Sequence, residues 1–218
     1  MALAIFDLDN TLIAGDSDHS WGEFLIDQRK VNQSEYRAMN DKFLADYEAE
    51  KLDISAYLEF SLSPLINMSA TELNQLHKKF MSQIIEPLKL SQANDLIEKH
   101  RQSGDRLLVI TATNRLVVEP IISSFGIDEF LATDPEIISG RVTGKVIGSP
   151  TFREGKVERL KDWLTENNES LEGSYFYSDS INDLPLLQEV DHPIAVDPDD
   201  ALHRESERRD WPIISLRN

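Results

Sequence analysis

Two aspartates one residue apart end the first apolar run of the chain: in FDLDNTL (residues 6–12), Asp7 and Asp9 follow ALAIF. Carboxylates at i and i+2 of an extended segment start on the same face. Two that close disfavour joint ionisation unless a cation lies between them. A second acidic pair, Asp179 and Asp183 in SDSINDLPLL, follows the apolar run of SYFY. Carboxylates, a backbone carbonyl and water form the hard, all-oxygen set that Mg²⁺ prefers. Two further segments offer positive potential. Thr111 closes RLLVIT and leads through ATN toward a helix. Its hydroxyl, with free backbone N–H groups from Ala112 onward, can hold an anion there. Lys156, in FREGKVERL, lies just inside a helix start, within reach of a phosphate oxygen. Each feature has an ordinary reading as well: Asp and Thr cap helices and fill turns, and most helical lysines are solvated.

The elements around these residues decide between the readings. Residues 2–6 read as a short buried strand. From about Ser20 to Leu88 the apolar spacing is helical, through Trp21, Phe24, Leu25, then Phe43, Leu44, Tyr47, then Leu73, Leu76, Phe80. Capping signals at Asn32, Asp53 and Ser69 divide that stretch into helices. A helix over 91–103 precedes the strand 106–111, and a helix over 114–125 follows it. Residues 137–148 read as a hairpin, 153–168 as a helix, and 174–180 and 192–196 as strands. Strands alternating with helices predict an α/β protein, a Rossmann-like doubly wound parallel sheet. The helical block after the first strand is too long for one crossover and is expected to be an inserted helical-bundle cap. The expected division is a core of residues 1–15 and 89–218 and a cap of residues 16–88. Such sheets bind ligands at the carboxyl ends of their strands, and the acid pairs and Thr111 fall at those ends, with Lys156 at a helix start beside them.

Composition narrows the partners. The formal charge is −17, from 39 acidic against 22 basic residues, which argues against a nucleic-acid partner. An anionic substrate therefore needs local positive charge. The absence of cysteine excludes disulfides, thiolate metal sites and a cysteine nucleophile, and suits a reducing compartment. No apolar run approaches the roughly 18 residues of a membrane span. Asp7 and Asp9 interrupt any leader-like start. A cytoplasmic protein with no membrane partner is expected.

FDLDNTL, ITAT, EGK and YSDSINDLPLL, in that order, resemble the four motifs of the haloacid dehalogenase superfamily of phosphotransferases. The helical insertion after the first motif is similar to that of its phosphoserine-phosphatase-like subgroup. IAGDSDHSWGEFL (13–25) and FREGKVERL also resemble the bacterial histidinol-phosphatases of that subgroup. The resemblance implies Mg²⁺-dependent hydrolysis of a small phosphorylated metabolite. In it Asp7 is the nucleophile that becomes an aspartyl-phosphate, and Asp9 is the general acid and base. Mg²⁺ would be held by Asp7, the Asp9 carbonyl and Asp179, with Asp183 as a further ligand or as an orienter of water. Thr111, Ala112 and Lys156 would hold the phosphoryl group, with Asn182 reaching toward it.

Specificity is expected in AGDSDHSW (14–21), where the cap begins. Asp16 is similar in position to the acid that pairs with the substrate ammonium of phosphoserine phosphatases. Asp16 and Asp18 also suit a helix N-cap, and His19 and Trp21 either line the pocket or pack the cap. Those enzymes clamp the substrate carboxylate with a cap arginine. Here no arginine occurs between Ala38 and His100, which leaves Arg29 and Arg37 as the cap candidates. An amino-bearing phosphomonoester without a carboxylate, histidinol phosphate, is therefore expected ahead of phosphoserine. A receiver-like phospho-aspartate switch uses a similar Asp, Thr and Lys set. The carboxylate at +2 and the long insertion weigh against it, since a switch gains little from rapid dephosphorylation.

Overall fold

The structure is a computed structural model that describes residues 2–66 and 68–217; residues 1, 67 and 218 of the expected domain ranges lie outside it. Its framework is a seven-stranded sheet in the order β4-β3-β2-β1-β5-β6-β7. The strands are β1 (Leu3–Phe6), β2 (Arg106–Asn114), β3 (Phe130–Ile138), β4 (Arg141–Ile147), β5 (Tyr175–Ser178), β6 (His192–Val196) and β7 (Ile213–Ile214). Every neighbouring pair is parallel except β3 and β4, which form an antiparallel hairpin. From β1 the chain winds outward through β2 and β3 on one side and through β5, β6 and β7 on the other. The order thus reverses between β1 and β5, where open α/β sheets leave a crevice beyond the strand ends. The α/β expectation holds, and the hairpin begins earlier than expected, because Phe130–Ile138 serves first as a parallel core strand and then as a hairpin arm.

Alternation in β1 explains the layers. Leu3 and Ile5 face one side and Ala4 and Phe6 the other, all buried. Leu3 and Ile5 pack with Leu160 of α8 (Glu154–Asn167), Leu186 of α9 (Leu184–Leu187) and Leu202 of α10 (Asp200–Arg209). Ala4 and Phe6 join the larger core. It takes in Ile97 of α6 (Ser91–Gln102) and Val118 and Ile121 of α7 (Arg115–Ser123). It also runs without interruption into the inserted block, through Trp21, Phe24 and Leu25 of α1 (Ser17–Asp27) and Phe80 of α4 (Ala70–Phe80).

The rest of the block comprises α2 (Gln33–Glu48), α3 (Ile54–Leu62), a π-helical turn over Met81–Ile85 and the short α5 (Glu86–Leu88). The N-caps expected from sequence form as read: the side chains of Asn32, Asp53 and Ser69 accept the first backbone N–H groups of α2, α3 and α4. Glycine at position 22 lets α2 approach α1, because a Cβ there would lie 2.6 Å from the Asn40 amide. Trp21 is a member of this core: it packs on Phe24, Phe80 and His77.

Candidate active site

The crevice between β1 and β5 gathers the acids. The Asp7 N–H donates to the Tyr177 carbonyl at 2.9 Å, so the chain leaves β1 directly beside the end of β5. Asp7 and Asp183 converge on Lys156, whose Nζ lies 2.7 Å from Asp7 Oδ1 and 2.7 Å from each of the two Asp183 oxygens. Ser178 Oγ donates to the same Asp183 carboxylate at 2.7 Å. Asp179 accepts only a neutral donor in this group, the Thr11 hydroxyl at 3.1 Å. Glycine precedes Lys156 for a packing reason: a Cβ at position 155 would stand 2.0 Å from the Pro150 carbonyl oxygen. The first turn of α8 is thereby pressed against the preceding loop, which aims the lysine inward.

Electrostatics follow from burial. Burial alone would lower Lys156, but Asp183 and Asp7 together outweigh it and hold the ammonium firmly charged. Burial raises Asp7 above the ordinary carboxylate range against the pull of Lys156, helped by Asp183 and Asp9. Asp179 is driven up by burial first and then by Asp7 and Asp183. Three carboxylates lie in the neighbourhood of one ammonium that pairs with only two of them, Asp7 and Asp183, which leaves acid in excess of base in a buried pocket of oxygen donors. A hard divalent cation fits that imbalance. The Asp7 and Asp179 carboxylates with the Asp9 carbonyl would hold it, while Asp183 is already committed to Lys156.

Asp9 is held on both oxygens. Oδ1 accepts the Ser17 N–H at 2.6 Å and Oδ2 accepts the Thr113 hydroxyl at 2.9 Å. Burial first, then the Asp16 charge, pushes it up to about 7. Its proton therefore comes and goes near neutral pH. A threonine hydroxyl can donate to the carboxylate or accept from the carboxylic acid, so Thr113 supports both states. Thr113 is a site residue beyond those expected from the sequence. The signal was there, a second threonine two residues after Thr111, but strand β2 was expected to stop at Thr111.

The strand in fact continues to Asn114 and α7 starts at Arg115, so Thr111 and Ala112 do not sit at a helix N-terminus. They occupy a stretch where the β2–β3 register shifts between Ile110 and Asn114. Thr133 Oγ1 donates to the Ala112 carbonyl at 2.9 Å, and the Thr113 N–H donates to Thr111 Oγ1 at 3.2 Å. This irregularity turns Thr111, Ala112 and Thr113 into the wall of the cavity.

The cavity, about 760 Å³ with its mouth included, extends from these groups into the cap helices. Asp16, Asp18 and His19 line it, with Asn10, Asn40, Phe43, Tyr47, Tyr57 and Phe152 among its further walls. Asp16 is also the N-cap of α1 and accepts the N–H groups of Asp18 and His19 at 2.9 and 2.8 Å, so its ordinary and its functional readings coexist. Among the described residues Lys156 is the one lysine or arginine in the lining. Arg37 instead pairs with Glu23 at 2.7 Å on the surface, and Arg29 lies exposed beyond α1.

Two expected site residues are not in the lining. Trp21 is the cap-core residue described above, its ring too deep among Phe24 and Phe80 to meet a ligand. Asn182 joins cap to core instead: its Nδ2 donates to the Tyr47 carbonyl at 3.3 Å and its Oδ1 accepts from Arg153 Nε at 2.9 Å. Arg153 Nη2 in turn donates to the Glu50 carbonyl at 2.9 Å. At the edge of the cavity His19 meets Glu23 and Asp41, which lie outside the lining, with Glu23 taken by Arg37 and His19 by Asp41 at 3.0 Å.

Comparison with known proteins identifies the family. Residues 4–188 match the haloacid dehalogenase-like hydrolase family. A histidinol-phosphatase of Neisseria meningitidis serogroup C (strain 8013) is 45% identical over 219 residues, covering 99% of each chain. The crystal structure of a protein of unknown function from Bordetella pertussis Tohama I superposes with a TM-score of 0.93 at 42% identity, over 99% of this chain and 98% of that one. A substrate-bound phosphoserine phosphatase superposes with a TM-score of 0.72 over 99% and 93% of the two chains, and at 18% identity it speaks for the fold alone. The chain belongs to the haloacid dehalogenase-like hydrolases. It is a phosphatase of that type, and among its described residues no helix is long and apolar enough to cross a membrane.

Proposed function

We propose that the protein is a Mg²⁺-dependent phosphomonoester hydrolase that works through an aspartyl-phosphate on Asp7, with histidinol phosphate as its substrate. The observation that carries the chemistry is the buried set of Asp7, Asp179 and Asp183 around one ammonium, with Asp9 beside it and poised near neutrality. Lys156 holds Asp7 Oδ1, which leaves the other oxygen to attack phosphorus. Mg²⁺, when bound, supplies the positive charge that lets two anions approach. Lys156 offsets charge gathering on the transferring group, and Thr111 with the neighbouring backbone faces it from the other wall. Asp9 gives its proton to the leaving alkoxide oxygen. It then takes one from the water that attacks the phosphoaspartate, while Thr113 and the Ser17 N–H keep its carboxyl in place.

The lining supports the substrate choice. A carboxylate on the substrate would find no arginine or lysine in the cap end of the cavity, and stranding it there would cost about 3–5 kcal/mol. An amine meets Asp16 and Asp18 instead. The 45% identical histidinol-phosphatase points the same way.

The test is phosphate release with Mg²⁺ from histidinol phosphate, phosphoserine, phosphoethanolamine and p-nitrophenyl phosphate. Histidinol phosphate should give the highest kcat/KM, and Asp7→Asn should abolish turnover of all four. Preference for phosphoserine would refute the substrate, and turnover by Asp7→Asn would refute the mechanism.

A further inference from the structure

The cap end of the cavity contains an arrangement that the phosphoryl chemistry does not use. Asp18 is 8% exposed and sits in the first turn of α1. Its Oδ2 accepts a short hydrogen bond from the Tyr57 hydroxyl of α3, a residue 39 positions away. A buried carboxylate whose side-chain partner is a neutral hydroxyl is under-compensated. Burial accordingly pushes Asp18 up to about 7 despite the Tyr57 bond, with Asp16 and Asp9 adding to the rise. The surroundings are aromatic, with Phe43 standing edge-on to Tyr57 at 5.3 Å between ring centroids. Phe43 and Tyr57 both line the cavity.

The acids are also anchored around the entry into α1. Asp9 Oδ1 holds the Ser17 N–H, Asp16 Oδ1 holds the N–H groups of Asp18 and His19, and Asp18 Oδ2 meets Tyr57. Asp9, Asp16 and Asp18, with Tyr57, all face the same cavity. A phosphomonoester bearing an amine and, two carbons further, a nitrogen heterocycle offers one group to each of the three acids: ester oxygen, ammonium and ring N–H.

We propose that Asp18, anchored by Tyr57, is the specificity-determining residue that accepts the ring N–H of an aminoalkyl phosphate ending in an imidazole, one step beyond the amine faced by Asp16. This rests on the substrate reading above. Phe43 and Tyr57 supply apolar ring surface for the heterocycle, and Asp18 supplies a carboxylate acceptor beside them. A ligand N–H on Asp18 adds a second donor to a carboxylate whose side-chain partner is the Tyr57 hydroxyl. A site built around such an acceptor discriminates strongly against analogues that lack the donor, because the acceptor is then left unpaired.

The experiment compares kcat/KM for histidinol phosphate and for phosphoethanolamine, which carries the amine without the ring, in the Mg²⁺-loaded wild type, Asp18→Asn and Tyr57→Phe. In Asp18→Asn the ratio of histidinol phosphate to phosphoethanolamine should fall at least tenfold, mostly through KM. Tyr57→Phe keeps the acid, frees it from its anchor and should lower the ratio by a smaller factor. It also reports on the site should Asp18→Asn fold poorly. A ratio within twofold of wild type in both variants, or an equal loss on both substrates, overturns the assignment. Failure of the wild type to hydrolyse histidinol phosphate would instead overturn the substrate reading itself. The two failures are therefore read from different proteins.

Discussion

Replacing Lys156 by methionine keeps the apolar stem and deletes the ammonium that Asp7 and Asp183 share. Both contacts are 2.7 Å, and all three side chains are at least nine-tenths buried. Removing one partner from a buried ion pair costs about 3–5 kcal/mol, because the charge left behind has neither water nor a counter-ion. For a chain of this size each kcal/mol moves the melting temperature by about 2–4 °C, so Lys156→Met should melt about 6–20 °C below wild type at pH 8 in EDTA. Lowering the pH to 6 should shrink the deficit, since Asp7, already raised by burial, holds a proton more readily once the Lys156 ammonium is gone. Asp183→Asn should be far milder, because it leaves one carboxylate facing one ammonium and an amide that can still accept from Ser178. The assay is thermal unfolding followed by circular dichroism, with turnover measured alongside; loss of this donor should lower kcat by about 100–1000-fold. A Lys156→Met protein melting within about 2 °C of wild type at pH 8 would refute the reasoning, since a cluster that tolerates the loss holds no unmatched charge.

Asp9→Asn should lower kcat by about 100–10,000-fold, the usual range for general acid–base catalysis. Thr113→Val, which deletes only the orienting hydroxyl, should lower kcat less and displace the pH–rate profile. An unmoved profile would remove Thr113 from the proton-handling group. Asp9 and Asp18 hold their protons up to about 7 in the folded chain against 3.8 when free, and Asp7 and Asp179 are raised in the same direction. The folded chain thus binds more protons across that interval, so the stability of the metal-free protein should fall as pH rises from about 4 to about 7 and then level off. Mg²⁺ needs the ionised carboxylates, so the rise in melting temperature on adding it should be larger at pH 8 than at pH 6. Equal rises at the two pH values would count against carboxylate ligation.

Much of the site was legible because its chemistry sits at strand ends, where acids are conspicuous. Asp7 and Asp179 follow apolar runs too short to be helices, and the caps at Asn32, Asp53 and Ser69 carry a local hydrogen-bond signature visible in a few letters. The parts that escaped depend on distant partners. Strand β2 runs past Thr111 because Thr133, from β3, holds the Ala112 carbonyl, and nothing within ITATN encodes that bond. FLATDPE mixes Asp and Pro into a strand that pairs in parallel at one end and antiparallel at the other, so neither pattern reads cleanly. Tyr57 lies in a cap helix with no local mark of its bond to Asp18. Trp21 has the spacing of a core residue and is one; its place beside Asp18 and His19 made it look like lining.

The tie between core and cap through Arg153 and Asn182 ends on the carbonyl oxygens of Tyr47 and Glu50, at the close of α2. It recognises main chain, and main chain is the same whatever the letters of the helix. These two bonds are therefore indifferent to the side chains of α2: Phe43 or Leu44 can be exchanged to reshape the cavity while both bonds stay available. Arg153 keeps this position at a φ of 51° and ψ of −120°, a conformation that side-chain-bearing residues rarely adopt. This strained residue lies in the core, outside the cap helices. Such a cap can change the side chains it turns toward the cavity without having to evolve a new hold on the core.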